Sequence, residues 1–344
     1  MCRYFEFDSL RIACACIIEF SGFTKRWGSK LNFNLKHLEA FVWVADLGSF
    51  RKAADRLNTT QPNISSRIAA LESALDVSLM QRDAGSVRLT LKGQLLLEHA
   101  REVLKATDRL IEAAGRDALV NGQLRLGVTE MVVHSWVRDF MRVLKGRYPN
   151  IAVELTVDLS ANLEKELLDR SIDLAFQSGP FGQPMSGDID LGVFPMIWIA
   201  SPQTELHSLA EVGIEDLMQY PILTHARNTQ PYREVAAHFT SRRDLSPRLV
   251  PSSNLAACIH MTIDGFGVAA VPAAMVVDEL QSGELVQVNY AWTPRALQFS
   301  ARYDADRSPQ FVAGAAEIAA EISHGFALAF AAKSGIKTIA QDSK

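Results

Sequence analysis

Between Asn34 and Gly93 the apolar positions fall at helical spacing in three successive runs. Leu38, Phe41, Val42 and Ala45 predict one apolar stripe on a first helix. Ser49 is a candidate N-cap for a short second helix, Phe50 to Leu57, with Ala53, Ala54 and Leu57 facing inward. Asn58-Thr59-Thr60 forms the turn, and a third helix starts near Gln61-Pro62, where proline in a first turn costs no hydrogen bond. On that helix Ile64, Ile68 and Leu71 make the buried face, which leaves Asn63, Ser66 and Arg67 elsewhere and Gln61 at the leading tip. From Leu91 to about Ala118 the pattern stays helical. Leu96, Ala100, Val103, Thr107, Leu110 and Ala114 alternate four and three apart, a seam of the kind that packs on a partner helix, with Gly115 and Asn121-Gly122 as hinge.

Beyond Gly122 strands and helices alternate. Strands are expected at Gln123–Val128, Ile151–Val157 and Asp173–Phe176, with helices at Val132–Arg147 and Asn162–Asp169. A strand at Val193–Ala200 leads into Ser201-Pro202, read as the crossover to a second lobe. That lobe holds strands at Ile222–His225, Arg248–Val250 and Gly267–Val271, and helices near Tyr232–Thr240 and Asn254–Asp264. Leu297–Ala301 and a helix from Phe311 to about Ala332 close it. The rhythm predicts a mostly parallel sheet covered by helices.

Small polar, amide and guanidinium groups at the front of the third helix suit base edges in a major groove. The ordered run LEAFVWVADLGSFRKAADRLN, TTQPNISSRIAALESALDVSLMQR and VRLTLKG resembles the winged helix-turn-helix of LysR-type transcriptional regulators. Gln61-Pro62 followed by Ser65 and by Ile68-x-x-Leu71-Glu72 carries most of the specificity. Met80, Gln81 and the pair Leu91-Lys92 depart from the family's usual residues at the wing and the linker entrance. The resemblance implies a multidomain α and α/β chain: a winged helix-turn-helix (34–92), a linker and dimerisation helix with its hinge (93–121), and a two-lobed α/β effector domain like type 2 periplasmic binding proteins (122–332), before a polar tail (333–344). It also implies DNA contact through Gln61, Pro62, Asn63, Ser66 and Arg67, with Arg51, Lys52, Arg82 and Arg88 as phosphate contacts. The cations Arg51, Lys52, Arg56, Arg67, Arg82, Arg88 and Lys92 are offset by Asp46, Asp55, Glu72, Asp76 and Asp83, so charge placement rather than total charge must hold the phosphates.

The chain has 344 residues and a net charge of −4, which argues against a protein that coats nucleic acid and fits a small DNA-binding head on a more acidic body. Its four cysteines, Cys2, Cys14, Cys16 and Cys258, form no CxxC pair, so neither a disulfide framework nor a zinc site is expected, and a reducing cytoplasm is the natural setting. Cys258, one turn into an apolar helix, reads as core. Residues 1–33 have no clean period, and their apolar run Ile12–Ile18 is too short to span a bilayer. A start assigned too far upstream or a disordered tail is preferred there over a DNA-binding arm carrying Lys25, Arg26 and Lys30.

Ligands of open α/β sheets bind outside the carboxyl ends of strands, where helix N-termini offer free amides. The loops meeting that description carry Thr129 and Glu130, then Ser178, then His225, Arg227, Asn228 and Thr229, and finally Ser252, Ser253 and Asn254. Capping is the competing role for the hydroxyl and amide residues, and a surface ion pair for Arg227. A guanidinium at a strand end suits a carboxylate; with Glu130 it could hold an amino-acid-like zwitterion, the alternative being a solvated Glu130. Because the cleft loops carry more hydroxyls and amides than aromatic residues, a small polar organic acid is the expected effector. The expected protein is a ligand-responsive transcription factor acting as homodimer or homotetramer on operator half-sites, with RNA polymerase as a further partner and without cofactor, metal or membrane. Two alternatives stand beside it: an enzyme using His225 with Cys258 or Glu130, and a DNA-binding protein whose body only oligomerises. The enzyme finds no Gly-x-Ser-x-Gly, Walker or His-Glu-x-x-His motif to support it.

Overall fold

Three polar side chains and one glycine set the limits of the first helices in the computed structural model, which describes residues 32–83, 86–115, 120–240 and 247–334. Asn34 caps α1 (Leu35–Leu47) by accepting from the His37 amide at 3.2 Å, while His37 Nδ1 accepts from the Asn34 amide. Gly48, at φ 59°, ends that helix in the left-handed region. Ser49 then caps α2 (Phe50–Arg56) by accepting from Lys52 N, as the sequence predicts. Thr60 precedes α3 (Gln61–Leu75), whose second residue is Pro62. Ile64, Ile68 and Leu71 are buried, together with Phe41, Val44 and Ala53 of the other two helices.

The wing is the antiparallel pair β1 (Met80–Asp83) and β2 (Ser86–Leu89). Glu72 ties it to α3, because its carboxylate accepts from the amides of Leu79 and Met80 at 2.7 and 3.2 Å. The long helix α4 (Leu91–Ala113) follows. It ends before the expected Ala118, just short of Gly115 at φ 60°, a backbone that continues no right-handed helix. The expected seam is also divided. Ala100 is buried in the core of the head, whereas Val103 and Leu110 are exposed by 46% and 71%. The chain divides into two compact units, Met1–Leu104 and Lys105–Lys344. Residues 1–31 and 335–344, which take in nearly all of the expected extension and tail, lie outside the described residues.

The second unit holds two five-stranded sheets. The first has the order β4 (Ile151–Val157), β3 (Gly122–Val128), β5 (Leu174–Ser178), β12 (Leu297–Tyr303), β6 (Gly187–Phe194). The second runs β11 (Val286–Gln287), β7 (Met196–Ala200), β10 (Val268–Pro272), β8 (Ile222–Thr224), β9 (Leu249–Pro251). Both sheets are mixed, not mostly parallel. β3, β4 and β5 are parallel, but β12 runs antiparallel to β5 and β6, and β7 antiparallel to β10 and β11. The expected strand Val193–Ala200 is two strands in different sheets. The crossover sits at Pro195, which has no amide hydrogen to continue a ladder, rather than at Ser201-Pro202.

Helices cover the sheets: α5 (Glu130–His134), α6 (Val137–Arg147) and α7 (Ser160–Leu168) in the first lobe, then α8 (Ile214–Met218), α9 (Gln230–Thr240), α10 (Leu255–Ile263) and α11 (Val277–Ser282). The single helix expected at Val132–Arg147 is broken at Ser135-Trp136. The Ser135 hydroxyl donates to the Met131 carbonyl at 2.7 Å, and Trp136 turns fully into the core against Phe140 and Phe176. The last helix, α12 (Gln310–Ser334), is apolar enough over Gln310–Ala331 to cross a membrane by length and composition alone. Here Val312, Ala315, Ala316 and Ala319 are buried in the body, where the helix packs on β6 and α6.

Candidate nucleic-acid interface and ligand cavity

In the head, burying Ile64, Ile68 and Leu71 of α3 leaves Gln61, Pro62, Asn63 and Ser66 exposed and Arg67 half-exposed. Asn63 donates through Nδ2 to Thr59 Oγ1 at 2.8 Å, which steadies its amide at the helix front. Arg51, Lys52, Arg88 and Lys92 are exposed, while the side chain of Arg82 lies outside the described residues. Arg56 is not a surface cation: it is 6% exposed and its guanidinium sits 4.4 Å from the centroid of the Trp43 ring. Asp46 is likewise drawn inward and pairs with Arg101 of α4. Arg56 and Asp46 thus drop out of the exposed charges together, one cation and one anion.

In the second unit a cavity of about 680 Å³ is lined by residues of both sheets' loops. Thr129, Glu130, Ser178, His225, Asn228, Thr229, Ser252, Ser253 and Asn254 all line it. Nine of the residues singled out from loop position alone are thus brought to one place. Their roles differ. Asn254 caps α10 by accepting from Ala257 N at 2.7 Å. Thr229 donates to Ala226 O, and Ser178 shares its hydroxyl with Ser160 at 3.1 Å. Glu130 reaches across to the first turn of α10, where Oε2 accepts from Leu255 N at 2.6 Å and Oε1 from Ala256 N at 3.0 Å. His225 is 7% exposed, neither ring nitrogen has a hydrogen-bond partner, and burial pushes its pKa down to about 4.

The family models cover both units. Residues 35–94 match the bacterial regulatory helix-turn-helix of the lysR family, and residues 117–320 match the LysR substrate binding domain. The chain belongs to the LysR family.

It is a DNA-binding transcriptional regulator with an effector-binding domain. Among its relatives, the HTH-type transcriptional regulator AlsR of Bacillus subtilis is 30% identical over 244 residues, 70% of this chain and 80% of AlsR. GltR of the same organism is 25% identical over 253 residues, covering 73% and 84%. A solved mutant of OxyR from Corynebacterium glutamicum shares the fold at a TM-score of 0.54 and 23% identity, over 88% of this chain and 96% of that one. A full-length OxyR variant from Pseudomonas aeruginosa does so at 0.57 and 21% identity, over 85% and 95%.

One expected effector residue of this LysR-family regulator is placed elsewhere. Arg227 does not line the cavity; it is exposed, donates to the Tyr232 hydroxyl at 2.9 Å and lies over that ring. The tyrosine, five residues on and one turn into α9, takes the guanidinium that the strand-end position had suggested for a carboxylate. Glu130 is likewise committed to the amides of α10 rather than left for a ligand amine. Cys258 is fully buried, its Sγ lies 3.9 Å from Thr224 O, and burial pushes its pKa up, so it is core as expected.

Residues that no loop rule marked also shape the site. Glu164 and Phe181 line the cavity above Arg302, which is 1% exposed. Arg302 donates to Glu164 Oε1 at 3.1 Å and to the Gln183 carbonyl, and the Phe181 ring covers its guanidinium at 3.9 Å. Burial pushes the Glu164 carboxyl up, but the amides of Gly182 and Gln183 together with Arg302 outweigh it and hold its pKa below the ordinary value. Only the third dimension joins α7 to β12 in this way. Among the described residues no group of three or more His, Cys, Asp or Glu is placed to hold a metal ion.

Proposed function

We propose that this regulator reads operator half-sites with the front of α3 and changes its DNA binding when a small molecule occupies the cavity of its body. The observation that carries the reading is the division of α3: an apolar face locked into the head, and Gln61, Pro62, Asn63 and Ser66 held exposed at its N-terminal end. Gln61, Asn63, Ser66 and Arg67 are the base-edge candidates, and Arg51, Lys52, Arg82 and Arg88 the phosphate contacts. The exposed Val103 and Leu110 support a homodimer or homotetramer, in which two copies would match two half-sites. RNA polymerase would be the further partner. The zwitterion reading used Arg227 and does not carry over to a cavity that Arg227 does not line.

An enzyme is disfavoured by the same residues that suggested one. His225 holds no hydrogen-bonded nucleophile, the Cys258 thiol is buried, and both oxygens of Glu130 accept backbone amides. Footprinting of the purified full chain on its own upstream region, with and without metabolites, tests the reading. Gln61→Ala should weaken specific binding by about 1–3 kcal/mol and relax base preference, whereas Arg88→Ala should weaken all sequences alike and lower the salt slope by roughly one. Unchanged affinity and selectivity in Gln61→Ala would show that α3 is not the reading helix.

A further inference from the structure

We propose that the cavity selects an uncharged ligand, a carbonyl, amide or hydroxyl compound with an apolar flank, anchored on His225 and Thr129, and that it discriminates against carboxylates. The proposal rests on the cavity being the effector site. Several features of the lining that would welcome an anion are already used by the chain itself. The first turn of α10 holds the Glu130 carboxylate. At the start of α7, Asp158 Oδ1 accepts from Leu159 N at 2.6 Å and from Asn162 Nδ2 at 2.8 Å. The first turn of α9 is served by the Thr229 hydroxyl, which accepts from Tyr232 N at 3.4 Å. Arg302 is closed off beneath Phe181 and shared by Glu164, Asp188 and the Gln183 carbonyl.

Among the described residues Arg233 is the one guanidinium in the lining, and it is exposed to water, where its field is screened. Against it stand Glu130, Asp158 and Glu164. A carboxylate entering the cavity would thus meet more negative than positive charge, and the first turn of α10 is closed to it by Glu130.

What the lining leaves open is neutral. Both ring nitrogens of His225 and the Thr129 hydroxyl are buried without a hydrogen-bond partner, a cost that a ligand supplying the partners would recover. A neutral imidazole offers one donor and one acceptor, and a hydroxyl offers both. Burial keeps that imidazole uncharged at neutral pH, so it presents no cation to an anion. Around them Met131, Pro272, Leu297 and Phe299 give the apolar wall against which a ring or alkyl flank would lie.

Matched isosteres test the proposal: benzamide and benzoate, then nicotinamide and nicotinate, each titrated into the full chain at neutral pH and followed by ligand-observed NMR. Each amide should bind at least tenfold more tightly than its acid, a difference of about 1.4 kcal/mol. His225→Leu should weaken the amide tenfold or more and leave the acid unchanged, and Thr129→Val should repeat the effect if the first variant fails to fold. Glu130→Ala, which frees the amides of Leu255 and Ala256, should raise benzoate affinity and narrow the gap. If the acids bind as tightly as the amides and His225→Leu weakens both, the charge selection falls while the effector cavity stands. Amide binding that neither His225→Leu nor Thr129→Val weakens would overturn the anchor. Failure of all four probes at millimolar concentration would overturn both the selection and the effector reading.

Discussion

Acidification should destabilise the body of this regulator in part through one buried histidine, and replacing that histidine should remove that part of the effect. His225 is 7% exposed, its ring has no hydrogen-bond partner, and burial moves its pKa from 6.5 down to about 4. In the unfolded chain the imidazole takes up a proton as the pH falls through 6.5, whereas in the folded body it stays neutral until about 4. Across that window the unfolded state holds more protons, so stability falls as the pH falls. At about 1.36 kcal/mol per unit, the shift corresponds to roughly 3 kcal/mol, fully lost by pH ~4, below which both states are protonated and the term levels off.

Urea denaturation of the full chain at a series of pH values from neutral to about 4, followed by tryptophan fluorescence, measures this for wild type and His225→Leu. Trp136 and Trp198 are both fully buried in the body and report on its unfolding. The variant also removes two unpartnered polar atoms, so its offset at neutral pH mixes packing with polarity. The change in that offset with pH isolates the proton. The variant should gain on wild type by roughly 3 kcal/mol between neutral pH and the acid end. Parallel curves would mean that the folded body protonates His225 as readily as the unfolded chain does. The neutral lining of the cavity would then be refuted too.

Three further outcomes follow from the same structure. Gly93→Ala would place a Cβ 2.1 Å from the Leu79 carbonyl oxygen, so the wing and the start of α4 must move apart; a loss of about 1–3 kcal/mol in the head's unfolding free energy is expected, and unchanged thermal stability would contradict it. Charging the exposed seam with Val103→Glu and Leu110→Glu should produce monomers in sedimentation and lose protection of a two-half-site operator, because an interface there would bury unpaired carboxylates. A dimer with a normal footprint would rule the seam out. Arg227→Ala should leave amide-probe affinity within about twofold, since the guanidinium is exposed on Tyr232 outside the cavity lining; a tenfold loss would place it in the site after all.

The sequence alone determined what local chemistry decides. Asn34, Ser49 and Gly48 set helix limits through bonds and backbone angles within three residues, and Ile64, Ile68 and Leu71 fix which side of α3 is hidden, so the exposed front could be read directly. The cavity loops were legible for a similar reason: strand ends followed by Ser, Thr or Asn mark where a sheet presents helix starts, and the fold brings them together. Their chemistry was not legible. Glu130 meets its partner amides 125 residues further along, and Arg302 finds Glu164 at a separation of 138, so no window of sequence shows that these charges are spoken for. The crossover at Pro195 was misplaced because an unbroken apolar run looks the same whether it stays in one sheet or changes to another. Spacing along the chain fixes which face of an element is apolar. Which polar groups are left without partners depends on how the two sheets close around them, and that alone decided what the cavity has to offer a ligand.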